Sequence, residues 1–203
     1  MTKKLYLILV AGLLVGSLTV FALRAALYKP ASVHYHANFG LFIDGKQDKF
    51  ESFTQYEEVQ ACRGDNLNDP KEHAHMHQPN NHVIHVHANA VTWSDFFTSI
   101  GYGLSDKAVT TTDRVYVNGQ DDKKLTFTLN GEVTSTISEK VINDKDMLLI
   151  SYGLSDSVAT KTQYDSVPKD ADVVDKTTDP ASCGGAEKTS FGSRFKHAFN
   201  MTN

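Results

Sequence analysis

An unbroken apolar run from Leu5 to Leu23 opens the chain, without a charged side chain. As a helix rising about 1.5 Å per residue, it would cross most of a ~30 Å hydrocarbon core. Lys3 and Lys4 precede it and Arg24 follows. The lysines favour an N-terminus kept in the cytoplasm. The length of the run, the following arginine and the lack of a small-x-small cleavage pattern favour an uncleaved anchor over a signal peptide. A tether, residues 24–32, ends around Lys29-Pro30, where proline discourages helix continuation.

From Val33 the pattern alternates. Val33, Tyr35, Ala37, Phe39, Leu41 and Ile43 fall on one face of a strand, and His34, His36 and Asn38 on the other. Asp44-Gly45 signals a hairpin, with a return strand expected over Lys49–Phe53. A polar, irregular stretch follows to residue 81, and His82–Ala88 reads as the next strand. Val83, His85 and His87 share one of its faces; His82, Ile84 and Val86 share the other. Thr92-Trp93-Ser94-Asp95 is a capping-box pattern with Asp in place of Glu. It predicts a helix over 93–101, apolar through Phe96, Phe97 and Ile100 and closed by Gly101 and Gly103. Strands are predicted at Arg114–Asn118, closing on Asn118-Gly119, and at Lys124–Leu129, closing on Asn130-Gly131. Glu132–Ser138 is the partner of the latter, and Met147–Tyr152 suits a buried central strand. Beyond Asp156 the chain is polar until Phe191, Phe195 and Phe199, whose spacing predicts a short amphipathic helix over 190–199 packed on the domain.

These elements predict an α+β fold. Hairpins form a mixed sheet under one short covering helix, in the order of a ubiquitin-like grasp. The expected organisation is a cytoplasmic end (1–4), a transmembrane anchor (5–23), a linker (24–32), a His-rich domain (33–156) and a C-terminal extension (157–203). The chain would pass once through the plasma membrane with its main domain outside the cytoplasm.

Composition narrows the chemistry. A formal net charge of -4 leaves no basic footprint, so nucleic acid is not expected as a partner. The two cysteines, Cys62 and Cys183, form no Cys-x-x-Cys motif; in an exported chain they are expected to join as one disulfide.

The histidines carry the strongest signal. Eight of the nine lie between residues 34 and 87, and they recur as His-x-His at His34/His36, His75/His77 and His85/His87, with His73 and His82 beside them. On a strand such a pair offers two imidazoles to one point in space. Imidazole suits zinc and copper, whereas calcium and magnesium want oxygen. His34, His36, His75, His77, His85 and His87 are expected to converge as ligands of one or two ions, with His73 near them and His82 on the other face. Alternation points Met76 away from His75 and His77. Only the neutral ring binds, so affinity is expected to fall below about pH 6.5.

Several stretches together resemble an uncharacterised family of membrane-anchored, His-rich bacterial envelope proteins. They are His34-Tyr35-His36, Ala74-His75-Met76-His77, Val83-Ile84-His85-Val86-His87 with Val91-Thr92-Trp93-Ser94-Asp95-Phe96-Phe97, Asp144–Gly153, and Asp179-Pro180-Ala181-Ser182-Cys183. The resemblance spans about residues 33–195. Where relatives carry Asp after the middle pair, this chain has Gln78, which removes a carboxylate. Some relatives bear the label disulfide isomerase, which a chain without Cys-x-x-Cys does not support. The resemblance implies no activity. Three functions are therefore ranked: capture, buffering or handover of metal; a structural envelope domain stapled by metal and disulfide; and a metal-dependent hydrolase or oxidoreductase. No Ser-His-Asp order, phosphate loop or nucleotide fingerprint points to another enzyme.

Overall fold

The computed structural model describes residues 2–27, 33–56, 69–154, 156–177, 194–195 and 198–199. The chain divides into two compact units, residues 1–32 with 185–203, and residues 33–184.

In the first unit, helix α1 (Lys3–Leu27) is long and apolar enough to cross a membrane, and it buries none of its residues. Phe199 stacks on Phe21 of this helix with ring centroids 4.3 Å apart. Arg194 donates to the carbonyls of Ala25 and Ala26 at 3.3 Å, satisfying acceptors that the last turn of a helix leaves open. Of the predicted 190–199 helix, residues 194–195 and 198 are helical; Phe191 lies outside the described residues. Its aromatic face thus meets α1, with Phe195 and Phe199 about half exposed.

In the second unit, β1 (Tyr35–Ile43) turns at Asp44-Gly45 into the short β2 (Lys46–Gln47). The one-turn helix α2 (Pro70–His73), capped by Asp69, runs straight into β3 (Ala74–His75). Then come β4 (Val83–Val86) and α3 (Trp93–Ser99), whose Thr92/Asp95 capping box forms in full. Strands β5 (Gly103–Ser105), β6 (Ala108–Thr110) and β7 (Val115–Val117) make a small antiparallel sheet. Strands β8 (Lys124–Leu129) and β9 (Glu132–Thr134) form a hairpin, and β10 (Met147–Gly153) follows. Two helices close the unit, α4 (Ser157–Ser166) and α5 (Ala171–Val174).

The main sheet runs β3-β4-β1-β10-β8-β9, with β2 beside β1. Its β1/β10 pair is parallel and its other pairs are antiparallel, so the fold is α+β with a mixed sheet. Alternation in β1 separates its two faces. Ala37, Phe39 and Leu41 join Ile84, Val86, Phe127, Leu148 and Ile150 in the main core, over which α3 lays Trp93, Phe96 and Phe97. Phe39 is the hub, 4.9 Å from Phe96 and 5.2 Å from Phe50. Replacing it by Ala is expected to cost about 3–5 kcal/mol, read by urea unfolding.

The opposite face carries a smaller core of Phe42, Met147, Leu149 and Val167. Here α4 packs on β10 and α5 on β1. Gly40 permits this: a Cβ there would come within 2.9 Å of Val167 Cγ2. Covered on both faces, β10 is buried along its whole length.

Several expectations need correction. The return strand is Lys46–Gln47, not Lys49–Phe53, because Asp48 accepts the Phe50 amide and Phe50 takes a positive φ that turns its ring into the core. Strand β7 pairs with β6, so Asn118-Gly119 leads from one sheet to the other instead of closing a hairpin. Asn130-Gly131 does close one, both residues having the positive φ that a two-residue type I′ turn requires. The compact unit continues past residue 156, because α4 and α5 pack on the sheet. Cys62 and Cys183, and with them the expected disulfide, lie outside the described residues.

Candidate metal centre

Three neighbouring strands bring the histidine pairs onto one face. Strand β4 lies between β3 and β1, with His85 opposite both His36 on β1 and His75 on β3. The apolar alternates Ala37, Ile84, Val86, Ala74 and Met76 point into the main core, and Met76 is fully buried there. With that face committed to hydrophobic packing, the histidines are left to the other.

The six rings of His34, His36, His85, His77, His75 and His87 form a closed circuit in that order. Successive ring centroids are 4.6, 4.4, 4.6, 4.7 and 4.9 Å apart, and 4.7 Å from His87 back to His34. Two nitrogen pairs are close: His36 Nε2 and His85 Nδ1 at 3.0 Å, and His75 Nε2 and His77 Nε2 at 3.2 Å. His34, His85 and His87 each offer a nitrogen within 4.8 Å of the other two, a group that could hold a metal ion.

Oxygen acceptors outside the circuit orient two of the rings. The Lys71 carbonyl can only accept, so at 2.5 Å His75 donates through Nδ1 and keeps the lone pair on Nε2. Likewise the Asp175 carboxylate, 2.5 Å from His36 Nδ1, accepts from that nitrogen and puts the lone pair of His36 on Nε2, the atom that faces His85. His36, His75 and His85 are buried, and His34, His77 and His87 partly so.

Burial keeps His75 and His85 neutral. Desolvation above all, with help from the neighbouring imidazoles, pushes His75 down to about 3 against the pull of the Lys71 carbonyl. Burial, then His36 and His77, hold His85 far below the usual histidine range. Neutral imidazole is the form that ligates metal.

His73 and His82 are not among the six rings of the circuit. His73 is exposed at the end of α2, and its carbonyl accepts the His87 amide at 2.9 Å. Alternation assigns His82 to the face of Ile84, but it precedes β4 and escapes the strand's period. Its ring meets Asp170 at 2.8 Å, beside Asn38, which donates to the same carboxylate. Asp170 and Asp175 were invisible to sequence reasoning: Asp175 lies 139 residues from His36, in a polar stretch without strong periodicity. Comparison with protein-family models, curated proteins and solved structures finds no match for the chain.

Proposed function

We propose that the protein is a membrane-anchored, extracytoplasmic metal-binding protein that captures, buffers or hands on zinc or copper through His34, His36, His75, His77, His85 and His87. The observation that carries this reading is the closed circuit of six imidazoles with neighbouring centroids 4.4 to 4.9 Å apart. A set of this size has room for one or two ions, and an all-nitrogen donor set suits zinc or copper over calcium or magnesium. The apolar α1 supplies the anchor, and a Cys62–Cys183 disulfide would suit the oxidising side of the membrane. We also propose membership of the His-rich envelope family that the chain resembles.

Asp175, a carboxylate beside the circuit, is engaged with His36 and orients that ring, a role that suits a binding site. Asp175→Asn is expected to weaken metal binding by about 10- to 100-fold, measured by competition with a chromogenic chelator, because it loosens the orientation of His36. The function itself is tested by elemental analysis of protein purified without a His tag from metal-supplemented cells. Zinc or copper at one or two equivalents per chain is expected; protein free of transition metal, and taking none up on dialysis, would refute it.

A further inference from the structure

We propose that the cluster holds two ions, one on each side of β4, and this rests on the metal-binding reading above. A structural zinc ion accepts four ligands, whereas this face offers six rings. With metal–nitrogen bonds of 2.0–2.1 Å, two nitrogens on one ion lie ~3.3 Å apart in a tetrahedron and ~2.9 Å apart at adjacent corners of a square. The circuit contains two separate nitrogen pairs at that spacing, His36/His85 at 3.0 Å and His75/His77 at 3.2 Å. One involves β1 and the other extends from β3, and these strands flank β4. Strands two places apart in a sheet are about 9–10 Å apart, which separates His36 from His75 at their roots, with His85 on β4 between them.

Each side also has its own oriented ligand. His36 is fixed through Nδ1 by Asp175, and His75 through Nδ1 by the Lys71 carbonyl, and each presents Nε2 inward. Two unrelated acceptors, one just after α5 and one in α2, thus prepare two ligands on opposite sides. The first centre takes His34, His36 and His85; the second takes His75 and His77. His87 stands between them, 4.7 Å from His34 and 4.9 Å from His75, and completes either. His85, edge-on to both His36 and His77 at 4.4 and 4.6 Å, is the ring that ties the two centres together.

The test is a metal titration of the full chain in detergent with Zn(II), and with Cu(II) read by electron paramagnetic resonance. Wild type is expected to bind two equivalents. His34→Ala/His36→Ala and His75→Ala/His77→Ala should each retain one. In the Cu(II)-loaded wild type, a half-field signal from two coupled ions is expected, which needs no variant to fold. A single equivalent in wild type, with no half-field signal, overturns the two-centre arrangement and leaves metal binding standing. Folded double variants that each lose all metal overturn it too. No binding by wild type overturns the metal reading itself.

Discussion

A chain carrying His85→Ala and His87→Ala takes up no metal. These two side chains come from β4, the strand between the other histidine-bearing strands, and one or both contact each of the other four rings of the circuit. Removing them leaves His34/His36 and His75/His77 as two pairs on strands that do not adjoin. Two imidazoles alone fall short of the three or four protein ligands that zinc sites use. Affinity should drop by at least 10³-fold, measured by isothermal titration. His197→Ala, which removes the ninth histidine, is expected to leave uptake unchanged. Full stoichiometry in the double variant would refute the site.

The metal-free protein loses stability in mild acid. In the unfolded chain His75 titrates near 6.5, and in the fold it is pushed down to about 3. Between these values the unfolded state binds a proton that the folded state refuses, so stability falls as pH drops through 6.5 and keeps falling to about 3. Above 6.5 the group contributes no pH dependence. Each such histidine gives a slope of about 1.4 kcal/mol per pH unit, and His85 acts with the same sign. From pH 6.5 to 5 the two together cost about 3 kcal/mol, a large part of a typical 5–15 kcal/mol. Urea melts of chelator-treated protein at pH 7, 6 and 5 read this directly, and a flat midpoint would contradict it. The same burial revises the expected acid release of metal. His75 and His85 resist protonation below 6.5, so metal held by these two rings should leave by unfolding, in one transition with the loss of structure.

The site histidines were legible because period-two alternation in β1 and β4 is a local property: one face apolar, one face imidazole. The covering helix was legible for the same reason, its cap and apolar side lying within ten residues of sequence. The hairpin signals were ambiguous, since Asn-Gly permits a tight turn without choosing which strand lies beyond it. Asn130-Gly131 joins paired strands, while Asn118-Gly119 joins two sheets. The least legible parts were α4 and α5. Helix α4 is mostly polar and α5 is a single turn, and the residues that cap α5 make long-range polar contacts, Asp170 with His82 and Asn38, and Asp175 with His36. Such contacts leave no periodic trace in sequence, although they orient a ring of the site.

In the proposed site, metal is held by imidazole nitrogens of this one sheet face. X-ray absorption at the metal edge of zinc-loaded, untagged protein tests it most directly. The expected first shell is nitrogen or oxygen at about 2.0 Å, with the outer-shell scattering of at least three imidazoles per ion and no sulfur. A first shell of oxygen alone, without imidazole scattering, or one dominated by sulfur, would contradict it.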